Sequence, residues 1–355
     1  MSIQTISPAT PDTTAERQAI DDVLKDFLEK RRKNCEPSQM GGLIELLADF
    51  MVGGKRIRPI LTMLGWQAVT GEAAGDTVVQ VAASLEMFHA FALIHDDIMD
   101  DSDTRRGRPT IHRALADNSS GDRTRRFGLG AAVLLGDLAF TWSDQILHTA
   151  GLTSEQTAAV LPLVTEMRTE VMLGQYLDLQ ATGALTDDVD ATLTVNRYKT
   201  AKYTIERPLH IGAALAGADP RAMAACTEYA LPLGEAFQLR DDLLGVYGDV
   251  QDTGKSRLDD LRAGKNTTLV ALALSKGDTA QSARLHTLLG DPALVEADAD
   301  EIRRIFAATG ARDAVEQMIE DRYRQALRAL DTAPFSPTAI TALKQLAVTA
   351  TRRTS

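Results

Sequence analysis

Apolar residues recur along this chain with the spacing of one helix face, almost from end to end. In residues 20–33, Val23, Leu24, Phe27 and Leu28 fall on one side and charged groups on the other, as in an amphipathic helix packed on a core. The same pattern predicts helices over 41–51, 58–70, 77–101, 128–149, 154–180, 192–216, 221–246, 267–275, 297–309, 311–331 and 339–350. Residues 77–101 are apolar on most sides, which predicts a buried helix. Good helix formers dominate, and the period-two alternation of strands is nearly absent. Gly/Pro/Asp-rich loops are expected at 105–109, 118–122, 181–190 and 248–264. The expected fold is all-α, a single large helical bundle over residues 17–350, with a flexible tail at 1–16 and a short one at 351–355.

Composition narrows the function. The 355 residues are 44% hydrophobic and 25% charged, enough for a sizeable core. A net charge of −11 argues against a general nucleic-acid or anionic-membrane surface. An anionic substrate must then meet a local basic cluster or a bound cation. Two cysteines, Cys35 and Cys226, are too few for a zinc cluster or a disulfide framework. The first residues lack the charged and apolar regions of a signal peptide, and no apolar run reaches the ~20 residues of a spanning helix. A cytoplasmic protein with no integral membrane segment and no nucleic-acid partner is expected.

The first chemical cluster, His95-Asp96-Asp97-Ile98-Met99-Asp100-Asp101, ends the long apolar helix. Helical periodicity puts Asp96 and Asp100 on one face with Asp97 beside them. Carboxylates that close repel each other unless a cation lies between them. Oxygen ligands alone favour Mg²⁺ or Mn²⁺ over zinc. A second pair, Asp241-Asp242, ends another apolar helix. Mg²⁺ completes its shell with water and substrate phosphates, so a diphosphate is the implied ligand. Basic groups supply the counterpart: Lys55, Arg56 and Arg58 in a glycine-flanked loop, Arg105 and Arg106 after the first acidic cluster, and Lys199, Lys255 and Lys265. No nucleophile elbow, P-loop or Rossmann fingerprint is present. Cations and metals gripping a diphosphate in an apolar helical barrel suit formation of a carbocation by loss of diphosphate.

Seven segments in order make the chain resemble the trans-isoprenyl diphosphate synthase family: Gly53 to Pro59 (GGKRIRP), Asp96 to Asp100 (DDIMD), Thr104 to Gly107 (TRRG), Gly174 to Asp178 (GQYLD), Tyr198 to Thr200 (YKT), Phe237 to Asp242 (FQLRDD) and Thr253 to Lys255 (TGK). The resemblance implies a helical bundle of the isoprenoid synthase type with a central apolar cavity. It implies a homodimer that joins isopentenyl diphosphate to allylic diphosphates. Carried over, Lys55, Arg58, His89 and Arg106 would bind isopentenyl diphosphate. Arg105, Lys199, Lys255 and Lys265 would neutralise the allylic diphosphate. Asp96 and Asp100 would hold two Mg²⁺ ions and Asp241 a third. Lys199, Thr200 and Gln238 would be catalytic, Thr200 and Gln238 facing the developing cation.

One departure stands out. The family's second acidic motif ends in a third carboxylate, where this chain has Gly245. Asp249 or Asp252 is the expected substitute, through water. Gly245→Asp is expected to tighten metal binding, and removing a helix glycine to add up to about 1 kcal/mol of stability. Product length is read from the helix ending in Asp96. Ala92 lies one turn beneath it, Phe91 beside Ala92, and Phe88 a further turn down, about 6 Å deeper at 1.5 Å per residue. In the family, one aromatic at the fifth position before the motif goes with C20, so geranylgeranyl diphosphate is expected, ahead of farnesyl or longer products. A terpene cyclase and a non-catalytic partner subunit are the alternatives. Lys55, Arg58 and Arg106 argue against the cyclase, which needs no second diphosphate site.

Overall fold

The structure, a computed structural model, describes residues 13–34, 39–116, 121–248 and 257–352. Lys255, with Asp249, Asp252 and Cys35, lies outside the described residues. The elements run α1 (Thr14–Lys33), α2 (Gln39–Met51), α3 (Ile57–Thr70), α4 (Asp76–Met99), β1 (Thr104–Arg105), β2 (Arg108–Pro109), α5 (Ile111–Leu115), α6 (Asp122–His148), α7 (Ser154–Ala181) and α8 (Val189–Asn196). A π-helical segment (Arg197–Glu206) leads into α9 (Arg207–Leu215) and α10 (Pro220–Tyr247). Then come α11 (Asp259–Arg262), α12 (Thr268–Lys276), α13 (Thr279–Leu288), α14 (Glu296–Ala308), α15 (Ala311–Thr332) and α16 (Pro337–Arg352). The fold is all-α, as expected. Among the described residues the strands amount to a two-residue hairpin with Thr104 opposite Pro109 and Arg105 opposite Arg108.

Helix α4 is the axis. Val81, Ala82, Leu85, Met87 and Phe88 are buried, with α1, α2, α3, α6 and α9 packed against the helix. It is long and apolar enough to cross a membrane, but two-thirds of that stretch is packed inside the bundle. A second core joins α3, α9, α10, α15 and α16, and a third gathers α11 to α15 under the end of α10.

Several boundaries differ from the sequence reading. Helix α1 begins at Thr14, within the expected tail, and Ile20 is fully buried. At the other end α16 runs to Arg352 and Thr351 is buried, so the tail starts later than residue 351. Helix α13 was not expected. Its core contribution is Leu285 and Leu288, too few to mark a face, and a capping box between Asp278 and Gln281 starts it. The expected helix over 192–216 is three pieces. Pro208 lacks the N–H that an α-ladder needs, and the Arg207 N–H reaches back five residues to the Lys202 carbonyl.

Candidate active site

The acidic end of α4 meets three cations. Asp96 and Asp100 lie one turn apart, and Asp97 turns inward, 1% exposed. Arg105, on β1, aims its fork at Asp97: Nε donates to both carboxylate oxygens at 2.9 and 2.8 Å, and Nη2 to Oδ1 at 2.7 Å. The same Nη2 reaches Asp96 at 3.5 Å, so Arg105 is an anchor for the cluster in this state. Lys199 donates to Asp96 at 3.2 Å and to Asp178 of α7 at 2.6 Å. Lys265 lies 3.3 Å from Asp100. Burial alone would push the Asp96 carboxyl up, but Lys199, Lys265 and Arg105 outweigh it and hold it low. Burial, with Asp96 next door, wins at Asp100 and raises it. The acidic partners likewise outweigh burial at Lys199 and Lys265 and hold both ammoniums charged.

Lys199 is placed by the π segment. Its wider turn is possible because α7 has glycine opposite: a Cβ on Gly174 would overlap the Lys199 backbone. Glu170, one turn earlier on α7 and 4% exposed, clamps the segment by bonding Lys202 and taking Arg207 Nε at 2.6 Å. The next π residue, Thr200, donates its hydroxyl to Gln238 Oε1 at 2.7 Å, and Gln238 Nε2 donates to Asp242 Oδ1 at 2.8 Å. This chain links the π segment to the second acidic pair. Asp242 is pushed up to about 7, by burial and then by the nearby charges of Asp260 and Asp241.

Gly245 has a close neighbour on another element. A Cβ there would overlap Asp260 Oδ2 of α11, with Asp260 Cγ at 3.2 Å. That oxygen is the free end of a side chain and can swing aside, so in Gly245→Asp the gain from removing a helix glycine is set against repulsion between the new carboxylate and Asp241, Asp242 and Asp260.

The basic loop before α3 divides its labour. Arg56 turns inward to Glu86 at 2.7 Å, to Asp21 at 2.8 Å and to the Met51 carbonyl at 2.6 Å, which makes it a structural residue. Arg58 is only half-buried. It donates to Thr204 Oγ1 at 2.7 Å, and its guanidinium stacks over Tyr203 at 4.1 Å. The Arg58 Nε is buried without a hydrogen-bond partner. His89 Nδ1 is 3.3 Å from the Tyr203 hydroxyl. Burial, then the charges of Arg58, Arg105 and Arg106, push His89 well below its ordinary range. The ring is therefore held neutral, with the positive charges of Arg58, Arg105 and Arg106 acting on it. Arg106 donates to the Val52 carbonyl at 3.0 Å, and Lys55 is exposed on the loop. Arg56, Asp101 and Arg106 all have φ near +50°, left-handed backbone in non-glycine residues around one mouth.

Below the charges the wall is apolar. Ala92, Phe91 and Phe140 of α6 are half-buried, whereas Phe88 is 0% exposed. Phe88, Phe91 and Phe140 pack mutually with centroids 5.2 to 5.7 Å apart, and Tyr203 joins Phe88 at 5.9 Å. The Arg168 guanidinium, tied to Asp144 at 2.6 Å, stacks beneath Phe88 and Phe140. Phe140, Arg168, Asp178, Tyr203 and Asp260 were not among the residues singled out from sequence. Asp178 alone carried a signal, inside the Gly174–Asp178 segment.

Among the described residues no three acidic, imidazole or thiol side chains close on one point as a complete metal cage. The donors nevertheless suit a hard divalent cation that keeps water and phosphate ligands: they are carboxylate oxygens, and Asp242 Oδ2 is buried with no hydrogen-bond partner.

The acidic end of α4, met by Lys199, Lys265 and Arg105 and backed by a packed aromatic layer, sits in an all-α fold. The chain belongs to the polyprenyl synthetase family, which it matches over residues 42–308, and it is a prenyltransferase. It is 33% identical over 300 residues to the geranylfarnesyl diphosphate synthase of Aeropyrum pernix, covering 84% of this chain and 87% of that one. It is 30% identical over 345 residues to the geranylgeranyl diphosphate synthase of Mycobacterium tuberculosis, covering 92% and 93%. A crystal structure of geranylgeranyl pyrophosphate synthase from Corynebacterium glutamicum, complexed with isoprenyl diphosphate and magnesium, superposes with a TM-score of 0.91 at 38% identity, covering 96% of this chain and 99% of that one. The protein is accordingly a trans-prenyl diphosphate synthase.

Proposed function

We propose that the enzyme is a Mg²⁺-dependent, cytoplasmic geranylgeranyl diphosphate synthase that works as a homodimer. Arg58, His89, Arg106 and Lys55 hold isopentenyl diphosphate, with neutral His89 acting as a hydrogen-bonding ring among the cations. Lys199 and Lys265, with Lys255 and Arg105, take the charge that the allylic diphosphate acquires as its C–O bond breaks. The Thr200 hydroxyl and the Gln238 carbonyl oxygen lie beside the resulting carbocation, and the apolar wall keeps water from it. The isopentenyl double bond attacks that carbon, and the proton then lost goes to the released diphosphate. Asp96, Asp100 and Asp241 would hold Mg²⁺, which when bound would supply Lewis-acid neutralisation of the leaving group.

The observation that supports the C20 reading is the mutual packing of Phe88, Phe91 and Phe140, with Ala92 presenting only a methyl group one turn before Asp96. A phenyl ring at 92 would raise the floor by about one helical turn. Ala92→Phe is expected to shorten the main product to farnesyl diphosphate, and Phe91→Ala to lengthen it past C20, read by chromatography of the dephosphorylated products. Unchanged length in both would place the floor elsewhere. The dimer reading is supported by apolar side chains left exposed on α6 and α7, Phe127 and Leu134 at 63% and 65% among them. Light scattering of Phe127→Glu/Leu134→Glu, expected to be monomeric, tests it.

A further inference from the structure

Tyr203 meets two of the groups assigned to isopentenyl diphosphate, and it reaches them from the π segment. We propose that Tyr203 is a positioning residue: its hydroxyl donates to His89 Nδ1, which fixes the imidazole as the Nε2–H tautomer and presents that N–H to the isopentenyl diphosphate. The inference rests on the reading of His89 as a ligand of that diphosphate.

Tyr203 is 3% exposed, and its hydroxyl oxygen is 3.3 Å from His89 Nδ1. Two arrangements fit that distance: the hydroxyl donates to the ring, or the ring donates to the hydroxyl. The surrounding charge decides between them. The Arg58 guanidinium lies over the Tyr203 ring at 4.1 Å and favours charge on the phenol oxygen, which makes the O–H a better donor and a poorer acceptor. Burial nevertheless pushes the hydroxyl up to about 12, so it keeps its proton. His89 is neutral and has one bare nitrogen to offer. With Nδ1 taken by the hydroxyl, the hydrogen stays on Nε2. The opposite tautomer would turn a lone pair on Nε2 toward the phosphate oxygens and repel them. Thr204, the next residue, accepts from Arg58 at 2.7 Å. Tyr203 and Thr204 thus orient two groups on the isopentenyl side, while Lys199 and Thr200 of the same segment serve the allylic side.

Tyr203→Phe removes the hydroxyl and keeps the ring, which also packs on Phe88 at 5.9 Å. Nitrogen NMR of isotope-labelled histidine reads the tautomer, and the spectrum of His89→Ala identifies His89 among the six histidines. The unaltered enzyme is expected to show His89 with Nε2 protonated and Nδ1 bare, and Tyr203→Phe to show a mixture of tautomers. In Tyr203→Phe, KM for isopentenyl diphosphate should rise roughly three- to tenfold while kcat at saturation stays within about twofold. In a His89→Ala background Tyr203→Phe should raise KM no further. A protonated Nδ1 in the unaltered enzyme, or an unchanged nitrogen pattern in Tyr203→Phe, overturns the inference. So does a fall in kcat at unchanged KM, which would give the hydroxyl a structural role in the π segment. An unchanged KM in His89→Ala overturns instead the reading of His89 as a ligand, and the two failures are told apart because the nitrogen pattern does not depend on substrate.

Discussion

Gly174→Ala adds a single methyl group far from any reacting atom, and the geometry says it should cripple the enzyme. The new Cβ would lie 2.3 Å from the Lys199 backbone nitrogen and 2.6 Å from its Cα, where ordinary contact begins at 3.4 Å. Helix α7 and the π segment must separate by about 1.1 Å, because the contact is backbone and cannot rotate away. Lys199 and Thr200 ride on that segment. Misplacing catalytic groups by about 1 Å can cost up to ~100-fold in rate. Overpacking of this kind also destabilises by roughly 1–3 kcal/mol. Turnover of isopentenyl diphosphate with an allylic primer should therefore fall by up to ~100-fold, accompanied by a melting temperature lower by a few degrees. Calorimetry and a product assay on the same preparation read both. A variant with unchanged turnover and melting temperature would refute the claim that close approach at Gly174 sets the position of Lys199.

Three further outcomes follow. Asp96→Ala or Asp100→Ala should cut turnover by roughly a thousandfold or more and leave the fold intact by circular dichroism, since Lys199 retains Asp178, Arg105 retains Asp97 and the remaining carboxylate loses a like-charged neighbour. Arg106→Ala should mainly raise KM for isopentenyl diphosphate and Lys199→Ala should mainly impair the allylic side, so equal effects of both on both substrates would sink the division into two diphosphate sites. His210 is held down to about 4 by burial and then by Arg207, against an ordinary value near 6.5; the unfolded chain takes up its proton first, so about 3 kcal/mol of stability present above pH 6.5 should drain away as the pH falls toward 4, and urea titrations of His210→Gln should lose that slope.

Much of the fold was legible because burial writes itself into helical spacing. Helix α4 could be read from the stretch before Asp96 that is apolar on most sides, and α10 from the apolar helix before Asp241. Helix α13 could not, since a helix that buries little beyond Leu285 and Leu288 leaves no stripe. Nor could the π segment, because one extra residue per turn changes hydrogen bonding without changing composition. In the site, linear motifs revealed which groups carry charge but not whom they face. Arg56 read as a phosphate clamp until Glu86 and Asp21 claimed it. Lys199 and Asp96 are 103 residues apart, a pairing that only the tertiary fold makes. Asp260 lay hidden in the same way, its relation to Gly245 existing only across the α10–α11 packing.

The left-handed backbone at Arg56, Asp101 and Arg106 sets stability against catalysis. A side chain in that conformation costs about 1 kcal/mol that glycine would avoid. Selection for heat tolerance alone would therefore drift toward glycine at these positions, and at Arg106 that drift would remove the guanidinium proposed to hold isopentenyl diphosphate. A lineage bred for robustness and one bred for turnover should diverge first at this rim, while the apolar interior of α4 serves both and stays as it is.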